Sequence, residues 1–565
     1  MHLGRLAKSL ASGTLVISAA CTDLLTGPDS PRFENGRDDT IGEAIVAPPG
    51  FAGLIRIGVI PAINGSTPTT IVTIGSPGSF TVINKTSGAT LATGAAENLT
   101  AVLIPGGTSR TRLWWQVACT SSTVTRDTWT AKVTLAGYEW YTEFVPAASC
   151  WRLRIGSLPT TASTAERNAF RDGFIAAGLS FPPTLPGGPF TVTRSDGAPQ
   201  IEVRRGATPL ATVPNDVVLS SPDGIVRIGT RLYRGVAEVR IASGGASIAG
   251  INELPLEEYL WGVVPRELGP IAFPEVEALK AQSVAARTYA IANFNKRQAD
   301  GYNLLATTAD QVYGGYQDEH PLSSQAVNET QGVIATADGV HPIEALYFST
   351  SGGFTANNED VFNSNAVAYL RGIPDHQRGS SLENHEDGVQ NNANARSLRA
   401  MRAGDFESDW SRYHRWTFEW TLEEIRDVIS SWAGEDVGAV LEINVLERSG
   451  SGRVKTIEYV TQNGRFYDTK DRVRSSLRYI DATGARVNLP STLVYVEPVF
   501  DKQTKALTGF VAWGGGFGHG VGMSQTGAVG MAEKKATFGE ILKHYYRGIE
   551  LVSMCTNPAG CAPLL

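Results

Sequence analysis

Residues 254–292 read LPLEEYLWGVVPRELGPIAFPEVEALKAQSVAARTYAIA, the most strongly patterned stretch of the chain. Its first part predicts a short helix that ends at Pro265, because proline removes a helix hydrogen bond and clashes with the preceding turn. Pro274 is expected to open a second helix, in which apolar residues recur every three or four positions. That face is built mainly of small side chains, so another backbone must pack closely against it. The connecting loop, residues 265–273, holds a single carboxylate, Glu267, among apolar neighbours.

Short β-branched runs separated by Gly, Pro and Asn precede this segment and predict strands. They lie at residues 54–57, 70–74, 80–83, 201–203, 225–228 and 237–241. Strands joined to packed helices predict an α+β fold, with a main domain formed by residues 49–111 and 190–565. Residues 112–183 interrupt this domain and are expected to be an insertion or a neighbouring unit. The length of 565 residues favours several domains over a single core.

Residues 112–183 contain a weak internal duplication, in which a strand is twice followed by a helix. The helices are predicted near 127–136 and 164–177, and each is closed by a glycine. A further strand between them gives the order β-α-β-β-α, which a last strand would complete as βαββαβ. This order resembles the SPOR domain, a small fold that binds glycan strands stripped of their peptides. The alternative is a generic α/β sandwich with no ligand.

The five cysteines are Cys21, Cys119, Cys150, Cys555 and Cys561. Two pairs and one odd residue suit an oxidising compartment, whereas the alternative is that all five are free and buried. In the SPOR fold the first and third strands are antiparallel neighbours, which would bring Cys119 near Cys150. We therefore expect one disulfide there and a second between the two C-terminal cysteines.

The N-terminus has the layout of a secretory signal, with basic residues, a short apolar stretch and then small residues. The apolar stretch is too short to span a membrane as a helix. Cys21 follows two alanines, which resembles the cleavage site of a bacterial lipoprotein. Residues 1–21 are therefore predicted to be the signal, with Cys21 lipidated and attached to a membrane, and residues 22–48 a polar tether. Ordinary secretion is the second interpretation, and a cytoplasmic protein is the third.

Four blocks of the chain resemble the SpoIID/LytB family, and they occur in the order that the family has. They are residues 278–290 (ALKAQSVAARTYA), 310–315 (DQVYGG), 345–355 (ALYFSTSGGFT) and 516–528 (GFGHGVGMSQTGA). The resemblance covers roughly residues 190–552. It implies cleavage of glycan strands that lack stem peptides or, in the LytB branch, enhancement of a cell-wall amidase. The family's catalytic glutamate lies between the two helices, where this chain has Glu267.

A separate physical argument concerns the chemistry that Glu267 would perform. Breaking a glycosidic bond at neutral pH requires a proton on the leaving oxygen, and burial in an apolar pocket raises the pKa of a carboxyl group enough to hold one. Hydrolases pair this acid with a second carboxylate. A lytic transglycosylase needs no activated water, because the C6 hydroxyl of the muramyl residue attacks its own C1 and leaves a 1,6-anhydro end. Glu267 would then act first as acid and later as base, whereas without the family blocks it would be interpreted as a solvated loop residue.

Other residues of the four blocks are expected to contact the sugar strand. They are Arg287, Tyr289, Ser349, Ser351, Gly352, Gly353, His519 and Gln525. Hydroxyl groups and side-chain amides can hydrogen-bond a sugar, and glycines let backbone amides approach a ligand closely. The structural alternatives are a buried Arg287 and a tight turn at residues 516–528. Thr537 and Glu540 predict a capping box at the start of the last helix.

The remaining features indicate what the protein lacks. Some SpoIID relatives place His and Cys zinc ligands after the catalytic glutamate, but here that stretch offers only His320 and His341, so we predict no metal and no cofactor. A net charge of −7 without a basic run gives no indication of a nucleic-acid partner. Residues 376–420, which contain three histidines (376, 385 and 414) and three tryptophans, show no motif and are predicted to be surface elaboration.

Three functions follow for this predicted exported cell-envelope protein. The first is a lytic transglycosylase acting on peptide-free peptidoglycan, brought to such strands by the SPOR-like unit. The second is a non-enzymatic enhancer of an N-acetylmuramoyl-L-alanine amidase, which binds the wall or the amidase itself. The third is a passive scaffold of the envelope.

Overall fold

The structure is a computed structural model, and it describes residues 41–47, 51–106, 109–145, 149–179, 189–195, 198–214, 216–375, 406 and 410–555. The predicted signal with Cys21, the cysteine at 561 and the histidines at 376 and 385 lie outside these residues. So does the side chain of Cys555. Among the helices of the described part, none is both long enough and apolar enough to cross a membrane.

Ten α-helices lie in the described residues. They are α1 (Thr123–Leu135), α2 (Thr164–Ala176), α3 (Leu256–Glu267), α4 (Val276–Ala292), α5 (Pro321–Glu329), α6 (Asn358–Val361), α7 (Leu422–Ala433), α8 (Val473–Ser476), α9 (Gln525–Glu533) and α10 (Phe538–Tyr545). Together with the sheets below they make a mixed α+β fold, as predicted. The capping box of α10 is also confirmed, since the Thr537 side chain accepts from the Glu540 amide and the Glu540 side chain accepts from the Thr537 amide.

Two large sheets form the N-terminal half of the main domain. One has strands in the order Thr208–Val213, Gln200–Arg205, Asn98–Ile104, Ile71–Gly75, Ile225–Ile228 and Arg231–Arg234. The other has the order Leu304–Leu305, Leu54–Ile60, Ile248–Pro255, Val236–Ile241, Val217–Ser220, Ser79–Asn84 and Thr90–Ala95. A side chain at Gly250 would come within 3.1 Å of Val72 and Ile228 in the opposite sheet, so the two sheets are in contact there. The predicted alternating runs are thus the strands of a sandwich.

The inserted unit leaves and re-enters the main domain between two adjacent strands. Ile104, at the end of one strand, pairs with Gln200 at the start of the next, and residues 109–195 lie between them in sequence. The unit has the predicted βαββαβ order, with its sheet running Glu139–Val145, Cys150–Pro159, Ser109–Thr120 and Phe190–Ser195. The last of these strands, expected in the main domain, completes the sheet of the inserted unit instead.

The first and third strands of this unit are antiparallel neighbours, and the disulfide Cys119–Cys150 joins them, as predicted. Its core lies between the sheet and the two helices and includes Trp115, Leu153 and Phe174. The resemblance to the SPOR domain stays a prediction, since a shared element order does not identify a ligand.

A cluster of helices packs around α4. Nearly all of α4 is buried, because its small residues let α3, α5, α9 and α10 approach closely. The predicted end of α3 is wrong, since the helix continues through Pro265 to Glu267. A proline in the last turn removes only one backbone donor, and Leu268 still donates to the Val264 carbonyl at 2.9 Å. Glu267 is therefore the last residue of a helix, not part of a loop.

The N-terminal strand corrects the predicted tether. Ile41–Val46 forms a parallel pair with Glu550–Cys555, which also pairs with Val333–Thr336. Residues 41–46 belong to the main domain, because pairing with a strand about 500 positions away satisfies their backbone groups. A contact so distant in sequence leaves no local pattern.

The C-terminal part adds two three-stranded sheets and two small ones. The larger sheets are Trp416–Thr421, Leu507–Gly514 and Val494–Phe500, and Val440–Arg448, Val454–Thr461 and Gly464–Thr469. The small pairs are Tyr347–Phe348 with Met523–Ser524 and Tyr479–Ile480 with Arg486–Val487; a third small pair, Ile63–Asn64 with Thr67–Pro68, belongs to the N-terminal half. Trp416 and Trp420 are buried in the core that α7 covers. Surface elaboration was therefore the wrong prediction for the described end of 376–420.

Removing the disulfide tests how the inserted unit is stabilised. The double variant Cys119→Ser/Cys150→Ser should lose about 3–4 kcal/mol of unfolding free energy in this unit, because the bond closes a loop across a separation of 31 residues. Denaturant unfolding followed by tryptophan fluorescence measures it. A reducing agent should lower the wild-type transition and leave the variant unchanged; a wild-type transition that ignores the reductant contradicts this account.

Candidate active site

A cleft of about 770 Å³ lies where the end of α3, the loop after α4 and the glycine turn at 516–522 meet. Five of the residues predicted to form the site line it together: Glu267, Tyr289, Ser349, His519 and Gln525. This size is typical of ligand pockets, which span roughly 300–1,000 Å³. All four sequence blocks, although distant along the chain, therefore contribute residues to one cleft.

The carboxyl group of Glu267 is shielded from solvent by these elements. One carboxyl oxygen accepts a hydrogen bond of 2.6 Å from the backbone N–H of Val312, and the side chains of Gln525 and Tyr347 also hydrogen-bond the carboxyl group. Burial nevertheless outweighs these three contacts and raises the pKa of Glu267 to about 7. The group can thus hold a proton at neutral pH and release it easily.

A chain of buried polar groups surrounds the acid. The Tyr259 hydroxyl donates to the Gln311 amide oxygen at 3.1 Å, and the Gln311 amide nitrogen donates to the Tyr347 hydroxyl at 3.0 Å and to the Ala286 carbonyl at 3.1 Å. Gln311 thereby fixes the orientation of the Tyr347 hydroxyl toward Glu267. Gln311 and Tyr347 both belong to the four blocks, but the sequence alone predicted no role for them. Their place in two of the four blocks was the available indication.

His519 is neutral and stabilises one wall of the cleft. Its Nδ1 accepts from the Val521 N–H at 3.1 Å, so the proton on Nε2 points to the Tyr347 carbonyl oxygen at 3.0 Å. Burial lowers the pKa of His519 to about 4, which excludes a charged imidazole at neutral pH. The ring lies between Phe348 and Phe362, with ring centres 5.5 and 5.4 Å away. His519 therefore positions the backbone that carries Tyr347.

The glycine turn is built for close contact with protein. Its four alternate glycines, 516, 518, 520 and 522, all have positive φ, which disfavours other residues. A side chain at Gly522 would come within 2.0 Å of the Leu346 carbonyl oxygen, and one at Gly516 within 2.8 Å of the Thr350 carbonyl oxygen. These glycines let the turn pack against residues 346–354, which is the structural alternative stated above.

Four residues predicted to bind sugar lie away from the cleft surface. Arg287 is fully buried; it forms an ion pair with Glu257 and donates to the carbonyls of Val327 and Val333. It therefore fastens α4 to its neighbours and does not bind substrate.

Ser351, Gly352 and Gly353 are also buried, inside the loop that faces the glycine turn. The Ser351 hydroxyl accepts from the Gly353 N–H at 2.9 Å. The buried guanidinium of Arg453 donates to the Ser351 carbonyl at 2.8 Å and to the Phe354 carbonyl at 2.7 Å. These three predicted binding residues shape the loop instead.

A second carboxylate on the cleft wall, Asp310, is fully committed to protein partners. Its two oxygens accept from Lys296 at 2.6 Å, from Arg297 at 2.7 Å and from the Leu305 N–H at 2.9 Å. Both oxygens of Asp310 are therefore occupied by protein donors and not free to bind a water for attack.

Comparison with known proteins agrees with the resemblance. A family model described as "Stage II sporulation protein" matches residues 245–336, and a domain of unknown function matches residues 356–522. Stage II sporulation protein D of Bacillus amyloliquefaciens is 30% identical over 321 residues, which cover 53% of this chain and 75% of that protein. An uncharacterized protein of Brachyspira hyodysenteriae is 30% identical over 342 residues, covering 60% of this chain and 76% of its own length. The amidase enhancer of Bacillus subtilis is 29% identical over 302 residues, which cover 52% of this chain but only 40% of the enhancer.

The fold and these relatives define an α+β protein of the exported cell envelope with a cell-wall-related role. The chain belongs to the SpoIID/LytB family, named after stage II sporulation protein D.

The buried acid predicts an unusual dependence of stability on pH. Because the folded-state pKa of Glu267 is about 7 and the unfolded value is near 4.5, the folded state retains a proton that the unfolded state releases between these pH values. The unfolding free energy of the wild type should therefore fall relative to that of Glu267→Gln, by about 1–3 kcal/mol between pH 5 and pH 8. Denaturant unfolding at both pH values measures this. Glu258→Gln, on the same helix and outside the cleft, is the control; parallel pH profiles for wild type and Glu267→Gln would contradict the burial account.

Proposed function

We propose that this protein is a lytic transglycosylase that cleaves the MurNAc–GlcNAc bond of peptide-free peptidoglycan strands, with Glu267 as the acid and base. The observation that carries the proposal is the carboxyl group of Glu267 at the cleft, where burial outweighs its hydrogen bonds and raises its pKa to about 7. The commitment of Asp310 to Lys296 and Arg297 supports a reaction that needs one carboxylate only.

In the first step, protonated Glu267 donates its proton to the glycosidic oxygen that leaves with GlcNAc, and the bond from that oxygen to C1 of MurNAc breaks. In the second step, the C6 hydroxyl oxygen of the same MurNAc bonds to C1, and its proton returns to the Glu267 carboxylate. No water is consumed, and the acid is regenerated. The Val312 amide and the side chains of Gln525 and Tyr347 stabilise the carboxylate that exists between the two steps.

Mass analysis of purified peptide-free glycan after incubation tests this reaction. The wild type should release fragments with 1,6-anhydroMurNAc ends, and Glu267→Gln should lower the rate by roughly 10²–10⁴-fold, because the amide carries no transferable proton. The wild-type rate should also fall as pH rises through about 7, where Glu267 loses its proton. Glu258→Gln should keep wild-type activity, and anhydro ends formed equally by Glu267→Gln would end the assignment of this acid.

The amidase enhancer among the relatives favours a second candidate, in which the cleft only recognises the wall or an amidase. Intact cell wall that still carries its stem peptides, incubated with the protein and an added amidase, distinguishes the two. Faster peptide release by an added amidase, unchanged in Glu267→Gln and without anhydro ends, would favour the enhancer. If neither effect is observed, the passive scaffold is the remaining interpretation.

The finer placement in the envelope also belongs to the proposal. The lipidated Cys21 would attach the chain to a membrane, and the inserted βαββαβ unit would bind glycan strands stripped of peptides. Binding by this unit would bring the cleft close to the strands that the cleft cleaves.

Deleting the inserted unit tests whether it brings the protein to peptide-free strands. The strand pairing indicates which residues of the chain can be removed. Because Ile104 and Gln200 are paired neighbours, residues 107–197 can be replaced by a short Gly-Ser turn without parting the sheet. The deletion variant should sediment less with amidase-treated cell walls than the full chain does, while untreated walls should bind both proteins weakly. Equal sedimentation of the two proteins with treated walls would remove the glycan-binding role of the unit.

A further inference from the structure

Two cations, Lys296 and Arg474, lie among the described residues that line the cleft. Lys296 already forms an ion pair with Asp310, since its ammonium group lies 2.6 Å from a buried oxygen of that carboxylate. It also lies 3.0 Å from the Tyr289 hydroxyl. Arg474 has fewer protein contacts than Lys296 and is the cation with donors left for a substrate.

Arg474 belongs to the short helix α8, in the region that matches a domain of unknown function and outside the stretch that matches the sporulation family model. Its Nε donates to the Leu489 carbonyl at 2.9 Å, and Nη1 lies 3.4 Å from the Asp471 carboxylate. Nη2 has no acceptor among the residues that the structure describes, and 22% of the side chain is exposed. One edge of a fixed guanidinium is thus open on the wall of the cleft.

The position of this cation relative to the rest of the site follows from its neighbours. Its charge acts on the buried ring of His519, which is hydrogen-bonded to the backbone of Tyr347. Tyr347 in turn hydrogen-bonds Glu267. Arg474 and the acid therefore belong to one continuous wall.

A peptide-free MurNAc residue carries a negative charge near the scissile bond that a peptide-bearing residue lacks at the same position. Its lactyl group ends in a free carboxylate, whereas the stem peptide converts the same group into a neutral amide. A guanidinium matches a carboxylate both in charge and in the spacing of its donors, and it discriminates strongly against the amide.

We propose that Arg474 binds the lactyl carboxylate of MurNAc and thereby makes the cleft select strands without stem peptides. This inference rests on the proposed substrate and names the residue that determines specificity for it. Asp471 does not block the interaction, because an arginine has five N–H donors and Asp471 engages Nη1 at long range only. Asp471 instead orients the guanidinium.

The test uses peptide-free glycan and the same glycan with its lactyl carboxyls converted to carboxamides. Binding is measured in the Glu267→Gln background, so that cleavage does not interfere, by calorimetry at low and at moderate salt. The free acid should bind roughly 10- to 100-fold more tightly than the carboxamide, and added salt should reduce this preference. Arg474→Gln should abolish the preference, and Arg474→Lys should restore part of it.

Arg472→Gln is the matched control, because Arg472 lies two residues away, is 69% exposed and pairs with Asp468. It should keep the full preference for the free acid. Thermal unfolding of each variant shows whether the loss of the Leu489 contact has affected folding.

The role of Arg474 would be overturned if the Glu267→Gln protein bound both glycans equally or bound neither. An unchanged preference for the free acid in folded Arg474→Gln would overturn it as well. The proposed reaction fails separately. A protein that prefers the free acid but yields no anhydro ends would retain the Arg474 site and lose the transglycosylase. A protein that yields anhydro ends equally from both glycans would retain the transglycosylase and lose the Arg474 site.

Discussion

The central constraint on this structure is the burial of one carboxyl group. Glu267 ends a helix and meets the Val312 amide, yet removal from solvent outweighs the hydrogen bonds that favour its charged form. A carboxyl group in this balance is protonated in part of the molecules at neutral pH and ionised in the rest, which is the condition for donating a proton and later taking one back. The surrounding elements hold the carboxyl group in this partly shielded position at the cleft.

Two separate stretches of the chain build the walls of the cleft. The helices α3 and α4 and the loop after them supply the acid and its amide partner. The loop at 346–354 and the glycine turn at 516–522 supply the opposite contacts, and Arg453 ties that loop to the C-terminal sheets. The region of unknown function thus contributes part of the site itself, because His519 and Arg474 both come from it.

Much of this arrangement could be predicted from local sequence patterns. The strands of the sandwich, the βαββαβ order and the helices around Glu267 all leave periodic or spacing patterns that are readable over a few residues. The Cys119–Cys150 bond followed instead from the resemblance to the SPOR fold, in which the first and third strands are neighbours. The helix boundary at Pro265 was misjudged, because a proline in a last turn disturbs one hydrogen bond only. The pairing of Ile41–Val46 with the C-terminal strand and the burial of Trp416 depend on distant partners, which no local window contains. Whether Arg287 faced the cleft or the core was likewise decided by the partners Glu257, Val327 and Val333.

The most direct measurement of the central claim is the titration of the Glu267 carboxyl group itself. Isotope-edited infrared spectroscopy of the protein labelled with ¹³C-glutamate, taken as the difference between wild type and Glu267→Gln, isolates the protonated and ionised bands of this one group across pH. We expect the bands to exchange with a midpoint near pH 7, as the burial of the carboxyl group requires. A midpoint near 4.5, the ordinary value for a solvated glutamate, would contradict the account.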